Sequence, residues 1–301
     1  MISLASADDA ARASALFNAT FDDRLNTVAG IRYRFESAQP EDRMQSWRAE
    51  CDGELVGWAY GGLDAFAPVR TAGFAGIVVH PAHRHEGIGA ALWDVVSAHL
   101  DVIGARRIVA YSSADEDTIA FVRARAFNLE ATDTSSGIDP RTLGPPPAAP
   151  PGIELRPMSG FAHDPEPIFA SDHESAQDEP GPSDYSGMTY ETWRRLIWDP
   201  PDCDHELSVV ALVEGVVVGT TFLYSDRETG RAANSGTGVM RDFRRRGLGL
   251  LMKQHSLARA AAAGITRVIT QNDDTNAPML AINARLGYER FSVGHAWVLE
   301  R

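Results

Sequence analysis

The sequence predicts an α/β fold that is built twice along the chain. The length of 301 residues allows two domains, at roughly 150 residues per domain. A glycine-containing pattern occurs twice, and each time it lies between a strand-like run and a helix-like run. Because 44% of the residues are hydrophobic, each copy can bury a core of its own.

The repeated pattern is R-x-x-G-x-G, with the sequences RHEGIG at 84–89 and RRRGLG at 244–249. The flanks repeat in the same register, since Gly104 and Gly264 follow the two patterns at equal distances. Two chance matches would not share their register on both sides. The chain is therefore predicted to be an internal duplication.

Each copy is predicted to run hairpin, strand, glycine pattern, helix and strand. The hairpins CDGELVGWAY and VEGVVVGTTF turn at an Asp-Gly and a Glu-Gly pair. The strands GFAGIVV and NSGTGVM precede the glycine patterns, and RRIVAY and TRVITQ follow the helices. Each helix has about four turns and ends at a glycine, the residue that favours a helix C-terminus.

The duplication also predicts the domain boundaries. An N-terminal domain spans 1–143 and a C-terminal domain spans 153–301. Between them, GPPPAAPPG at 144–152 predicts an extended spacer outside either core.

The second copy is longer between its first strand and its hairpin, in the region 160–206. That region carries twelve acidic residues but only two arginines, Arg194 and Arg195. An ordinary solvated loop and a surface that attracts a cation both fit this composition.

The glycine pattern predicts an anion site at the start of a helix. Glycine in a first turn costs roughly 1 kcal/mol relative to alanine, so the bare backbone must serve a purpose. The first N–H groups of a helix lack intrahelical partners, and the helix dipole adds partial positive charge. Arg244, Arg245 and Arg246 would strengthen that field. The alternative is a solvated basic turn.

Composition limits the partners. A net charge of −13 argues against nucleic acid and anionic membrane surfaces. No signal peptide or membrane-length apolar run is evident, and Cys51 and Cys203 form no disulfide pattern, so a cytoplasmic location is expected. The spacing of His80, His83 and His85 fits no standard metal site, so no metal is expected.

Over nearly the whole chain, this order of elements resembles the GNAT superfamily of N-acetyltransferases. The R-x-x-G-x-G loop and the closing pair Gly287-Tyr288 carry the resemblance. It implies two domains, each a splayed, mostly antiparallel sheet flanked by helices. It also implies acetyl-CoA as co-substrate, with its pyrophosphate on the loop and its pantetheine arm between the splayed strands. The acetyl group would pass directly to the amine of a small-molecule acceptor.

The resemblance also implies the residues that bind acetyl-CoA. A backbone N–H near Val239 or Met240 would polarise the thioester carbonyl. The positions in the second copy are Val239, Met240, Arg244, Arg245, Arg246, Gly247, Leu248, Gly249 and Asn276. Those in the first copy are Val79, Arg84, Gly87 and Gly89.

The two copies differ in the second half of the family pattern. NDDTNAPMLAINARLGY matches it, with Asn276 at the usual asparagine. The first copy has Asp115 at that asparagine and Ala126 at the closing glycine. The second copy is therefore predicted to be catalytic, and the first to be structural or to bind CoA passively.

One departure affects the mechanism. Many family members place a tyrosine four residues before the closing glycine, where it protonates the leaving thiolate. Here that position holds Asn283, and Val122 in the first copy, and an amide is no proton donor at neutral pH. The remaining candidates for the acid are Tyr190, Tyr185 or water, unless the thiolate leaves unassisted.

Asp172 and Glu174 are the candidates for the base, because they lie on the expected acceptor side. The acidic region predicts a cationic acceptor. The duplication, the linker and the tail FSVGHAWVL are also similar to mycothiol synthases, tandem members of the family that acetylate an aminosugar-linked cysteine. Asn283 and Val122 leave a non-catalytic acyl-CoA-binding protein open as well.

Overall fold

The computed structural model describes residues 1–301, which form two compact units. Unit 1 consists of Met1–Thr132, Gly181–Gly187 and Gly294–Arg301. Unit 2 consists of Asp133–Pro180 and Met188–Val293.

The first repeat contributes six strands and four helices. The strands are β1 (Ile2–Leu4), β2 (Gln45–Cys51), β3 (Glu54–Leu63), β4 (Ala72–Val79), β5 (Arg107–Ser113) and β6 (Asn128–Ile138). The helices are α1 (Ala10–Thr20), α2 (Val28–Glu36), α3 (Ile88–Val102) and α4 (Glu116–Arg123).

The second repeat also contributes six strands and four helices. Its strands are β7 (Ile153–Pro157), β8 (Val209–Val213), β9 (Val216–Asp226), β10 (Arg231–Val239), β11 (Arg267–Asp273) and β12 (Glu289–Glu300). Its helices are α5 (Glu166–Ala176), α6 (Tyr190–Trp193), α7 (Leu248–Ala262) and α8 (Ala277–Leu286), and a π-helical turn, Arg194–Trp198, continues α6.

Each unit contains one mostly antiparallel sheet, as predicted. In unit 1 the order is β1-β2-β3-β4-β5, followed by the Gly294–Glu300 part of β12. In unit 2 the order is β7-β8-β9-β10-β11, followed by the Asp133–Ile138 part of β6. Only the pairs β4–β5 and β10–β11 are parallel.

The units therefore differ from the predicted domains 1–143 and 153–301. Each repeat gives the end of its last strand to the other repeat's unit. The strands β5 and β11 each need a partner for their outer N–H and C=O groups, and either final strand can supply one. Sequence repetition cannot distinguish these two pairings.

The C-terminal part of β12 completes the core of unit 1. Trp297 is 1% exposed and packs with Leu299 among Leu92, Val96 and Ile108. Its indole N–H donates to the Ser112 hydroxyl at 2.8 Å. The segment 144–152 belongs to unit 2 and contains no helix or strand.

The predicted hairpins and helices are confirmed. The hairpins turn at Asp52-Gly53 and Glu214-Gly215, whose positive φ values are those of a type I′ turn. Helices α3 and α7 begin directly after Gly87 and Gly247. No helix in the structure is both long and apolar enough to cross a membrane.

The parallel strands of each unit part after a short pairing. In unit 2, β10 and β11 pair only over Arg231–Ala233 and Arg267–Ile269, although β10 continues to Val239. In unit 1, β4 pairs with β5 only over Ala72–Ala75, although it continues to Val79 beside β3. The splay implied by the family resemblance is thus present twice.

The pairing of β12 with β5 predicts which unit loses stability when Trp297 is substituted. Trp297→Ala should lower the free energy of unfolding by about 3–5 kcal/mol, because it opens a cavity in the unit 1 core. Amide hydrogen exchange should then accelerate in β5 and leave α7 largely protected. Faster exchange confined to unit 2 would contradict this assignment.

Candidate active site

A cleft of about 620 Å³ opens in unit 2 where β10 and β11 part. Its walls come from these two strands, the start of α7, α8 and the end of α5. The corresponding cleft in unit 1 is about 320 Å³. The two repeats thus share the location of the cleft but not its size.

The glycine loop forms one end of the cleft in unit 2. Arg245 and Gly247 have positive φ values of 62° and 78°, and α7 starts immediately afterwards. The first intrahelical bond runs from the Leu251 N–H to the Gly247 carbonyl, so the N–H groups before it have no helical acceptor. Left-handed residues that alternate with residues of negative φ, as Arg245 and Gly247 do here, form a concave anion site.

Unit 1 has the same loop conformation. His85 and Gly87 have φ values of 65° and 83°. The predicted residues Val79, Arg84, Gly87 and Gly89 all line the unit 1 cleft. The loop itself therefore does not distinguish the units.

The three predicted arginines of unit 2 have different surroundings. Arg244 and Arg245 line the cleft. Arg246 does not, because it donates to the Asp242 carbonyl and lies over the Phe243 ring. The structure thus gives two of the three arginines access to a ligand.

Asp178 pairs with arginines at the mouth of the loop. Its carboxylate lies 2.8 Å from guanidinium nitrogens of both Arg241 and Arg244. These hydrogen bonds lower the pKa of Asp178 to about 2. Part of the acidic charge predicted for this region is therefore neutralised by the loop.

The edge of β10 decides between the two predicted backbone donors. The Met240 N–H already donates to the Val218 carbonyl at 2.9 Å, on the β9 side. Alternation along an antiparallel strand directs the Val239 N–H to the opposite, open side. The Val239 carbonyl accepts from Arg244 Nε at 2.9 Å, which agrees with that direction. Val239 is therefore the better candidate for the backbone donor, because the Met240 N–H already has an acceptor.

A β-bulge at Asn234/Gly236 shapes β10 beside the cleft. The Asn234 side chain donates to the Phe222 carbonyl at 2.8 Å and accepts from the Thr237 hydroxyl at 3.2 Å. In unit 1 the register between β3 and β4 is regular, and Phe74 occupies the position of Asn234. Bulges redirect side chains at functional sites, and sequence reasoning did not find this one.

Two carboxyl groups with raised pKa values line the cleft. Asp172 accepts from Trp193 Nε1 at 2.9 Å and from the Thr220 hydroxyl at 3.3 Å. Burial raises the pKa of Asp172 to about 6 despite these bonds. Glu179 is exposed as a residue, yet desolvation of its carboxyl group, with the nearby Asp172 and Asp133, raises its pKa to about 7.

The other predicted acid and base candidates do not line this cleft. Glu174 accepts the Arg241 N–H at 2.8 Å. Tyr190 stacks on Trp193, with ring centroids 6.0 Å apart. Tyr185 packs against Phe66 within unit 1. Of the acid and base candidates predicted from the sequence, the structure brings only Asp172 to the cleft, and it adds Glu179.

Asn276 precedes α8 as its N-cap, and Asn283 lies within the helix. Asn276 lines the cleft, and its side chain caps the helix by accepting the Met279 N–H at 3.3 Å. Asp115 caps α4 in unit 1 in the same way. Asn283 is 4% exposed and donates to Asn272 Oδ1 at 2.6 Å, so it supports the cleft wall from behind.

Other acids of the region 160–206 are also paired. Asp204 binds Arg227 at 2.8 Å, and Asp199 binds Arg194 at 3.3 Å. Arginines therefore neutralise part of the negative charge expected for this region. His83 pairs with Glu86, and no group of three or more His, Cys, Asp or Glu side chains is arranged to hold a metal ion.

Comparisons with known proteins agree with this geometry. The profile of the acetyltransferase (GNAT) family matches residues 12–127 and 171–288. Mycothiol acetyltransferase of Saccharomonospora viridis is 28% identical over 248 residues, which cover 78% of this chain and 76% of the relative.

Two solved structures share the fold across the whole chain. One is a tandem GNAT protein from the clavulanic acid biosynthesis pathway, with a TM-score of 0.73, 20% identity and coverage of 100% of this chain and 98% of its own. The other is a GCN5-related N-acetyltransferase from Sphaerobacter thermophilus, with a TM-score of 0.71, 19% identity and coverage of 100% and 95%.

The loop geometry predicts the effect of charge at Gly249. A Cβ there would meet Ile282 at an ordinary 3.4 Å, so Gly249→Ala should keep CoA affinity. Gly249→Asp should weaken it at least tenfold, because a carboxylate would face the pyrophosphate. Calorimetric titration with CoA measures both variants. An Asp variant that stays folded and binds within threefold of wild type would exclude the loop as the phosphate site.

Proposed function

This chain belongs to the GNAT family of acetyltransferases, and we propose that unit 2 transfers the acetyl group of acetyl-CoA directly to the amine of a small cationic acceptor. The cleft between the parting strands supports this most strongly, since it ends at an anion-binding loop on one side and at two carboxyl groups on the other. Acetyl transfer needs both ends, one to hold the donor and one to deprotonate the amine.

The residues of the cleft suit the donor. The N–H groups at the start of α7, with Arg244 and Arg245, would hold the pyrophosphate. The open edge of β10 offers backbone groups to the pantetheine amides. The Val239 N–H would stabilise the negative charge that develops on the thioester oxygen.

Asp172 and Glu179 are the proposed bases. An amine is mostly protonated at neutral pH and must lose a proton before or during attack. Carboxyl groups with pKa values of about 6 and about 7 are suited to accept it. Because the two groups interact, they would titrate as a pair rather than separately.

The same carboxyl groups favour a cationic acceptor. Arginines already neutralise Asp178, whereas Asp172 has only neutral donors and Glu179 has acidic neighbours. An ammonium or polyamine group would supply the missing positive charge. The acceptor would therefore bind at the α5 side of the cleft.

The relative from Saccharomonospora viridis suggests a second acceptor. If this chain catalysed the reaction of the mycothiol synthases that its sequence resembles, the acceptor would be the amine of an aminosugar-linked cysteine. A non-catalytic acyl-CoA-binding protein is the third possibility, suggested by Asn283 in place of the usual tyrosine.

A panel of amines distinguishes these possibilities. Thiol release from acetyl-CoA should be measured with polyamines, aminosugars, a cysteinyl aminosugar and peptide N-termini. We expect turnover with a cationic acceptor. Turnover with the cysteinyl aminosugar alone would favour the second reaction, and CoA binding without any thiol release would favour the third.

Matched loop variants assign the activity to one unit. Gly249→Asp should lower kcat/KM at least tenfold more than Gly89→Asp, a difference of about 1.4 kcal/mol in transition-state stabilisation. The larger and more polar cleft of unit 2 is the reason for this expectation. Equal losses, or a larger loss for Gly89→Asp, would contradict the proposed division of labour.

The bases predict a pH dependence. Activity should rise as the pH increases through 6–7, because Asp172 and Glu179 accept a proton only when ionised. Asp172→Asn and Glu179→Gln should lower kcat/KM for the amine at least tenfold and shift the pH range over which activity rises. Glu174→Gln is the control, since its amide oxygen can still accept the Arg241 N–H. A loss with Glu174→Gln alone would make Glu174 the base.

A further inference from the structure

Five buried polar side-chain atoms of unit 2 have no hydrogen-bond partner. Two of them, Ser171 Oγ and His173 Nδ1, belong to α5, and the other three are Lys253 Nζ, Tyr288 OH and Asn283 Oδ1. Lys253 is 2% exposed and Tyr288 is 8% exposed. Burying an unpartnered polar atom costs free energy, so three together suggest a function that needs them.

The three residues are neighbours, and one of them, Lys253, faces the cleft. Lys253 lines the cleft, and its Nζ is 5.1 Å from the centroid of the Tyr288 ring. Tyr288 donates its backbone N–H to the Asn283 carbonyl at 3.0 Å. Lys253 also follows Gly249 by four residues and so continues the helix face that carries the glycine loop.

Unit 1 has no such atoms at the same positions. The register of the repeat aligns Lys253, Tyr288 and Asn283 with Trp93, Phe127 and Val122. These three residues pack together in the apolar core, where the rings of Trp93 and Phe127 make edge contact at 5.5 Å. The fold therefore accepts a fully apolar filling here, and the polar set is not required for folding.

One member of this polar set stands at the position from which a tyrosine supplies a proton in many relatives. Asn283 occupies that position but cannot act as the acid. Resting on the proposed acetyl transfer, we propose that Lys253 is the residue that protonates the thiolate of CoA as it leaves. Tyr288 and Asn283 are positioning residues in this proposal.

The proton balance of the step is complete. The acceptor nitrogen bonds to the thioester carbon, the C–S bond breaks, and its electron pair stays on sulfur. The Lys253 ammonium gives one proton to that sulfur and becomes a neutral amine. The proton released by the acceptor nitrogen passes to the carboxyl pair, and solvent restores both groups after the products leave.

Burial alone prepares Lys253 for this role. Desolvation lowers its pKa to about 7, below the range of a free thiol, so the ammonium can protonate the thiolate. The ring of Tyr288 lies beside it and favours the charged form only weakly. The other titratable groups that line the cleft are Asp172, Asp178, Glu179, Arg244, Arg245 and Arg285.

Lys253 is the only lysine in the chain, so its titration can be observed directly. Lysine labelled with ¹³C at Cε should give one resonance that titrates near pH 7. Binding of CoA, confirmed by calorimetry, should shift this resonance, because the thiol would lie beside the amine. A titration near pH 10, or bound CoA that leaves the resonance unchanged, would overturn the proposal.

Kinetics of Lys253→Met test the role in the reaction. We expect kcat to fall at least tenfold while KM for acetyl-CoA changes less than threefold. In wild type, kcat should fall as the pH rises above about 7, because the acid must be protonated. This decrease of kcat at high pH, the alkaline limb, should be absent from Lys253→Met. The matched substitution Trp93→Met in unit 1 should keep both kcat and the limb.

Stability separates a catalytic loss from unfolding. The folded pKa of Lys253 lies below its ordinary value of 10.5, so wild type loses stability as the pH falls from about 10 to about 7. Lys253→Met removes this loss and should raise Tm at neutral pH.

The outcomes distinguish this proposal from the proposed function. Absence of turnover by wild type with every amine would exclude the proposed acetyl transfer. The lysine resonance would still show whether bound CoA lies beside Lys253. Turnover that persists in Lys253→Met with an unchanged pH profile would exclude Lys253 as the acid but leave the proposed acetyl transfer standing. Acetylated Lys253, detected by mass spectrometry after incubation with acetyl-CoA, would contradict it by making the lysine a nucleophile.

Discussion

Beyond Ala233, β10 has no partner on the side that faces β11, and its backbone groups on that edge must form hydrogen bonds elsewhere. The rest of unit 2 is arranged around this gap. Arg244 reaches back to the Val239 carbonyl, and the Thr270 hydroxyl bonds the Asn234 carbonyl where the strands separate. The gap persists because β9 and β6 hold the outer edges of the two strands.

Both units have such a gap, but polar residues cluster beside it in one unit only. The bulge of unit 2 is held by Asn234 and Thr237, both bonded within the strand pair. Unit 1 has the same glycine loop, but its strand is regular and Trp93 and Phe127 fill the space below. A shared backbone therefore supports a large polar cleft in one copy and a small one in the other. This contrast is the main physical support for a division of labour.

The buried charges of unit 2 have an energetic consequence. Asp172 is held by an indole N–H and a hydroxyl rather than by a cation, and Lys253 has no hydrogen-bond partner. Neither group is in the environment that would be most stable for its charged form. Such sites are retained where activity compensates for lost stability. Asp178, by contrast, is fully paired with arginines and has a lowered pKa, as expected of a structural ion pair.

The duplication, the hairpins and the two glycine loops could be predicted from the sequence, because they depend on local backbone preferences and on spacing along the chain. The sequence could not determine which final strand pairs with β5 or β11, since both repeats present similar strands and only packing selects the partner. It also placed Asp172 and Glu174 together, whereas the structure separates them: Asp172 faces the cleft, and Glu174 holds the Arg241 N–H. The single lysine was visible in the sequence, but its burial was not. Burial depends on neighbours that are distant along the chain, such as Tyr288 after α8, and the fold brings them to α7.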